Sequence, residues 1–584
     1  TSPELKAIML SAYPVGLKRK RISDYLNDLN IATVYDDPDI HSLEGIQTRD
    51  AINVFKAVLS TRNERLAGHS VLNYMNDLLH KDSLKGIERP KPGFFAEIDH
   101  LIKGIMGKSA IYQDKAPAFV KYEGRKAAKL RSTDLSRLSR TAHRFLDRYP
   151  CGLDKSTIKK RIINKSRILK HFGATLSDWE DWKWHTKNII RDADSLNALV
   201  KISEEDDKAV RMARKNKIPF GITPHYLSLM DYGATRERDY ALRAQVIPSL
   251  HYVESLKEFR GNAETSMDFM LERDTSPIDG ITRRYPMIAI LKPVTTCPQI
   301  CVYCQRNWEI EDVYSKNAVL SVTKIEKAMQ WIEDTPEINE ILITGGDPFI
   351  LSNSRIEKLL SRLSHIRHIQ RIRIGTRTLV TLPQRITESL VNIIDHYHIP
   401  GKREIMIVSH FEHPYEITPQ SMKAVQRFRT KGMDVYNQLV YTTFNSKKFE
   451  AAALRLKLRL IGVTPYYTFN TKGKKETDEF RVPISRLLQE QQEEARLLPG
   501  TVRTDEIVFN VPKLGKNYLR AIQHHDVISI LPNGSRVYEF HPWEKKLSLV
   551  DTYVYIDVSI HDYLKTLKKS GENLAYYKTI WYYY

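Results

Sequence analysis

Three clustered cysteines in a chain with few others set the strongest constraint on its fold. Cys297, Cys301 and Cys304 stand in a C-x3-C-x2-C spacing within Thr295–Trp308, directly after the apolar run Met287–Leu291. The chain has 584 residues and four cysteines, and the fourth, Cys151, lies far upstream. Soft thiolates suit zinc and iron–sulfur clusters. Three of them on one short loop can hold three irons of a [4Fe–4S] cube, which leaves the fourth iron without a protein ligand. The competing readings are a zinc site and three unrelated thiols. Structural zinc takes four ligands, usually in pairs, and no fourth Cys or His lies near this loop.

The pattern around the loop gives the fold class. From Met287 onward short apolar runs alternate with amphipathic stretches. Strands are expected near 287–292, 339–344, 370–376, 404–409, 434–440, 459–466 and 505–510, with helices between them such as Val322–Asp334, Asn353–Leu363 and Thr418–Lys431. Repeated βα units imply a parallel sheet. About six repeats, with polar motifs after the strands, suit an α/β barrel or partial barrel whose site lies at the strand C-termini. Upstream, residues 1–170 read as helical from apolar spacings of three and four in Arg49–Leu59, Ser70–Leu79 and Phe94–Met106.

Several short motifs follow the cysteines in order. Thr344-Gly345-Gly346-Asp347-Pro348 comes after the apolar Ile341–Ile343, where glycines let backbone approach a ligand and Asp347 could receive an ammonium. Next come Arg373–Arg377, Thr381–Thr387, Ser409-His410-Phe411-Glu412-His413-Pro414, Asn437-Gln438, Pro465–Tyr467 and Phe480–Pro483. The Trp-rich Asp178–His185 and Ile222–Met230 precede the cysteines. The cysteine spacing with the Gly-Gly-Asp-Pro element resembles the radical S-adenosylmethionine (SAM) superfamily. Taken together, over roughly residues 177–545, the motifs resemble the lysine 2,3-aminomutase family.

That resemblance implies a radical SAM partial (β/α)6-type barrel with a helical N-terminal region. It also implies three cofactors: a [4Fe–4S] cluster on Cys297, Cys301 and Cys304, SAM held by Gly345, Gly346, Asp347 and His410, and pyridoxal 5′-phosphate (PLP). PLP is expected on a lysine in the loop Asn510–Lys516; Lys516 is the best match and Lys513 the runner-up. Arg284 and Gln438 match positions that contact the cofactor phosphate, whereas a second phosphate arginine is missing because Ile288 stands in its place. Arg306 matches the arginine that pairs with the substrate α-carboxylate, for which a guanidinium fork is suited. Where lysine enzymes have two aspartates for the side-chain ammonium, this chain has Lys472 and, allowing one deletion, Asn510. A cation and an amide suit a carboxylate instead, because an unpaired buried ammonium costs several kcal/mol. The swap resembles glutamate 2,3-aminomutase, which moves the amino group of L-glutamate from C2 to C3 to give β-glutamate. The alternatives are an aminomutase acting on lysine or another amino acid, and a macromolecule-modifying enzyme.

Charge bears on that last alternative. The formal net charge is +20, and residues 101–170 alone hold 19 Lys and Arg against 5 Asp and Glu. Such asymmetry can mark a nucleic-acid surface, but no aromatic-interleaved motif accompanies it, so nucleic acid is the less favoured partner. No run approaches the roughly 20 apolar residues of a membrane span. Clustered cysteines without a disulfide framework suit a reducing compartment, and a cytoplasmic enzyme is expected. Four segments follow: a basic helical extension (1–170) of unread role, a helical lead-in (171–284), the barrel with its PLP site (285–520) and a C-terminal segment (521–584). The aromatic tail Trp581–Tyr584 suggests a docked or subunit-contacting end. Expected partners are the amino-acid substrate, an electron donor such as flavodoxin or ferredoxin, and further copies of the chain in a homo-oligomer.

Overall fold

A computed structural model describes residues 2–32, 42–80, 88–111, 116–233, 238–260, 268–315, 317–471, 473–521, 524–542, 548 and 550–584. Its centre is a nine-stranded sheet whose strands follow one another in chain order. β1 (Ile281–Tyr285) turns back on β2 (Ile288–Val294) as an antiparallel edge. β3 (Glu340–Gly345), β4 (Arg371–Gly375), β5 (Glu404–Ser409), β6 (Val435–Tyr441), β7 (Thr464–Asn470) and β8 (Glu506–Val511) then add in parallel, each beside its predecessor. β9 (Gly515–Tyr518) closes the series as an antiparallel hairpin on β8. The sheet curls until its two edges approach, because Lys516 Nζ on β9 lies 5.9 Å from the Tyr285 ring on β1. The barrel is nearly closed.

Sequence alternation decides which way each strand faces. Ile341 and Ile343, Ile372 and Ile374, and Ile405 and Ile407 are buried, covered by the crossover helices. β-branched side chains suit this pleated surface. The helices begin where short hydroxyl side chains cap them: Ser321, Ser352, Thr387 and Thr418 each accept from a first-turn backbone N–H. The opposite face looks into the barrel. Strand pairing places Leu342 beside Arg373, Arg373 beside Met406, Gln438 beside Tyr467, and Asn510 beside Lys516 on that face. One strand boundary differs from the sequence reading. The segment expected to be extended at 459–466 starts as the end of the helix Glu450–Leu460, turns at Gly462 (φ +87°), and only then becomes β7.

The chain's two ends build one lobe. Helices Ser42–Val58, Thr61–Ala67 and Pro92–Ile105 pack with a small antiparallel sheet of β10 (His525–Ile530), β11 (Arg536–Phe540) and β12 (Tyr553–Ile556). Buried Arg536 pairs with buried Glu97 at 3.0 Å, Arg62 reaches Glu539 at 2.7 Å, and His100 stacks on Trp581 at 4.6 Å. Gly93 is required here, since a Cβ would lie 2.9 Å from the Asn533 carbonyl oxygen. Segments 1–170 and 521–584 are thus joined, and Trp581 and Tyr582 of the aromatic tail are buried against the chain's own helices. By contrast the basic helix Gly124–Leu146 buries only Ala142. No helix among the described residues is long and apolar enough to cross a membrane.

Candidate active site

The cysteine loop leaves the C-terminal end of β2 and is pinned by the lead-in segment: Ile300 N–H donates to Gly221 O (3.0 Å) and Val302 N–H to Gln245 O (2.8 Å). Burial pushes all three thiols above their ordinary pKa, so deprotonation needs a metal or a cation nearby. Both kinds of help have a place. Arg377 Nη1 donates to Cys301 Sγ at 2.8 Å, and the Arg306 N–H lies 3.4 Å from Cys304 Sγ. Among the described residues no set of three or more His, Cys, Asp or Glu side chains is gathered tightly enough for a single metal ion. A cube spreads its three ligands over separate corners and needs no such convergence. Three thiols on one loop are one short of a structural zinc set and match a cube with one open iron, and Cys151 is buried elsewhere, its N–H bonded to Asp154.

The Gly-Gly-Asp-Pro element lies directly on this loop. Gly346 N–H donates to Val294 O (2.7 Å) and Asp347 N–H to Thr296 O (3.0 Å). A Cβ on Gly346 would stand 2.1 Å from Thr296 O, and Gly345 has φ +114°. The close approach that these glycines permit is thus to the chain's own backbone. The Asp347 carboxylate departs from the expectation that it receives an ammonium. It is 5% exposed and accepts from Phe349 N–H, Arg377 N–H and, through both oxygens, the Thr376 hydroxyl. Three donors thus brace the loop through its two oxygens.

Arg377 is the hub of this half of the site, a role that the sequence reading missed. Besides Cys301, its guanidinium reaches Glu416 (2.9 Å), Gln245 and the His410 carbonyl (3.3 Å), and lies 5.6 Å from the centre of the Tyr226 ring. His410 ends up at the tip of β5 with its ring pushed down to about 4 by burial and by Arg377, hence neutral. Burial raises neighbouring Glu412 to about 8.

The other half centres on Lys516. Its Nζ sits 3.6 Å from the Tyr467 ring centre and 5.9 Å from those of Tyr285 and Phe469. Burial, aided by Arg373, lowers the amine from 10.5 to about 7. Lys513 is exposed at a turn with φ +63°. The segment between Asn510 and Lys516 is the turn of the β8–β9 hairpin rather than a glycine-rich loop.

Glu272, which carried no sequence signal, links the two halves. Its carboxylate lies 3.1 Å from Arg306, 3.8 Å from Arg284 and 3.6 Å from Lys292. Burial works against its charge, but those three cations hold it down to about 2. Lys292 also pairs with Glu309 at 2.7 Å. Glu272 engages the Nε edge of Arg306, and the Nη edge makes no hydrogen bond among the described residues. Contacts thus run from Lys516 past Tyr285 and Arg284, through Glu272 to Arg306 and Cys304. Lys472 lies outside the described residues. Its neighbours face inward: Thr471 is buried, and buried Lys474 pairs with Glu476 at 2.7 Å and bonds Asn307, next to Arg306.

Comparison with known proteins accords with this arrangement. A model of the Radical SAM superfamily matches residues 291–456, which hold the cysteine loop and Gly-Gly-Asp-Pro. An uncharacterized KamA family protein from Methanocaldococcus jannaschii is 42% identical over 100% of this chain and 96% of its own length. The chain belongs to the KamA family. Glutamate 2,3-aminomutase from Clostridioides difficile is 30% identical, covering 70% of this chain and 90% of its own length. L-lysine 2,3-aminomutase from Methanococcus maripaludis is 33% identical over 54% of this chain and 70% of its own. For this KamA protein, membership implies a [4Fe–4S] cluster and SAM.

Proposed function

We propose that the protein is a SAM- and PLP-dependent 2,3-aminomutase acting on L-glutamate, held in a homo-oligomer and working in the cytoplasm. The observation that carries the reading is Lys516: a half-buried amine, about half neutral at pH 7, in an aromatic recess connected by contacts to the cysteine loop. A radical SAM enzyme without a second cofactor has no use for such a lysine, whereas PLP needs a neutral amine to attach. When bound, the cluster and SAM supply a hydrogen-abstracting radical, and PLP supplies the means to carry nitrogen between adjacent carbons.

The chain's own residues do the remaining work. Lys516 presents the neutral amine, and Tyr467 and Phe469 shield it from water. Arg284 and Gln438 take the cofactor phosphate. The free Nη edge of Arg306 takes the substrate α-carboxylate while Glu272 fixes its Nε edge. Lys472 and Asn510 receive the side-chain carboxylate. The Arg377 guanidinium favours the thiolate of Cys301 against the effect of burial. Gly345, Gly346 and His410 border the SAM position, with Asp347 as the brace behind them.

Anaerobic turnover of cluster-loaded protein with SAM, PLP, reductant and either L-glutamate or L-lysine tests this, the product being read by NMR. β-Glutamate without β-lysine is expected. Conversion of lysine alone refutes the glutamate assignment, and conversion of neither refutes both glutamate and lysine as substrates.

A further inference from the structure

The surface helix Lys155–His171 carries seven Lys and Arg and no Asp or Glu. Its outward face is patterned. Lys155, Lys159, Ile162 and Lys170 recur at spacings of four, three and eight, which aligns them along one stripe of a helix. Ile162 and Ile163 are 58% and 61% exposed, with exposed Lys155, Lys159, Lys160 and Lys170 around them. Lys160 has a 3.7 Å contact with Asp231; the same helix's Lys165 pairs with Glu180, also at 3.7 Å. An apolar centre with a charged rim is the anatomy of a protein-docking patch.

The inward face of this helix connects to the cysteine loop through a run of contacts. Asn164 Nδ2 donates to Ser228 O (3.1 Å) and Met230 O (2.7 Å), so the helix rests on the segment that holds Tyr226. Buried Arg161 stacks on Tyr415 at 4.6 Å and bonds its carbonyl. Tyr226 donates to Glu416 (2.7 Å), Glu416 accepts from Arg377, and Arg377 donates to Cys301. A reduced carrier seated on the helix is therefore linked to Cys301 through the segment of Tyr226, then Glu416 and Arg377.

We propose that the helix Lys155–His171 is the docking surface for a small acidic one-electron carrier protein that reduces the cluster. The transfer is one electron, out of the carrier's reduced centre and into the oxidised cluster, with no bond made or broken. The proposal rests on the cluster and is independent of which substrate the enzyme rearranges. Charge complementarity selects the occupant. A second copy docking through the same helix brings seven cations against seven, which repel. A nucleic acid engages the lysines but has no use for exposed isoleucines, and the helix offers no Phe, Tyr or Trp for base stacking. Redox encounters are small and electrostatically steered, which this patch suits.

The test uses the cluster-loaded full chain, anaerobically, with purified flavodoxin hydroquinone as the probe. The variant is Lys155→Glu/Lys159→Glu/Lys170→Glu, none of which belongs to the active site. Stopped-flow reduction of the cluster by flavodoxin is expected to slow about tenfold or more, with a weaker dependence on salt. Reduction by dithionite, which needs no docking, is expected to stay unchanged. Ile162→Ser/Ile163→Ser is expected to weaken flavodoxin binding while its salt dependence is preserved. A lysine-to-glutamine triple variant serves where the charge reversal fails to fold. Unchanged flavodoxin rates in a folded triple variant overturn the proposal. So does a variant that loses only retention of a poly(U) RNA.

Discussion

The low pKa of Lys516 has consequences that can be worked through in numbers. An ordinary lysine, with its pKa near 10.4, is neutral in roughly one molecule in a thousand at about pH 7.5. At about 7, Lys516 is neutral in roughly three quarters. PLP attachment through this residue therefore gains with rising pH, reaches half at about 7 and levels off above about 8. Borohydride trapping followed by peptide mapping should find the pyridoxyl label on Lys516, with that midpoint, and none in Lys516→Ala. The same shift sets a stability trend. Between about 7 and 10.5 the unfolded chain binds the proton and the folded one does not, so this group's contribution makes stability rise with pH across that window. Below about 7 the folded amine is charged against burial and the full cost is felt. Lys516→Met should then be more stable than the parent at about pH 7, by an amount on the order of a few kcal/mol, and level with it above 10.5. Denaturant unfolding at the two pH values measures this. A label on Lys513, or a trapping midpoint near 10, refutes the reasoning.

Three further outcomes follow from the geometry. Gly346→Ala places a Cβ 2.1 Å from Thr296 O, so the brace between the two loops must open; iron content should fall, with stability reduced by ~2 kcal/mol or more in thermal unfolding. Arg377→Met leaves Glu416 buried without its cation and should cost about 3–5 kcal/mol in denaturant unfolding. Lys472→Asp combined with Asn510→Asp should move the ratio of kcat/KM values toward lysine by about tenfold or more, read by competition between labelled amino acids.

The barrel was legible because its strands are Ile-rich runs punctuated by helix caps, and register follows once the strands are in order. β7 was displaced because the apolar residues ending the preceding helix look like a strand until Gly462 turns the chain. The cysteines, glycines and Arg306 were legible as motifs. Choosing between Lys516 and Lys513 was not, since exposure and a positive φ at Lys513 are properties of the folded hairpin. The bracing by Asp347 was not legible because its contacts come partly from Thr376 and Arg377, in the next βα unit. Glu272 and Arg377 act by gathering groups from distant segments; nothing local marks Glu272, and the motif Arg373–Arg377 gave no role for its last residue. The shared lobe of the two chain ends depends on pairs such as Arg536 with Glu97, 439 positions apart. The excess charge at 101–170 pointed to a surface but not to which helix packs on the segment of Tyr226.

Deuterium transfer joins the two halves of the site most directly. Cluster-loaded protein is given SAM, PLP, reductant and β-deuterated L-glutamate, and the 5′-deoxyadenosine formed is analysed by mass spectrometry. Deuterium in deoxyadenosine together with deuterated β-glutamate is the predicted result. Deoxyadenosine that forms without deuterium, while glutamate is recovered unchanged, contradicts the account.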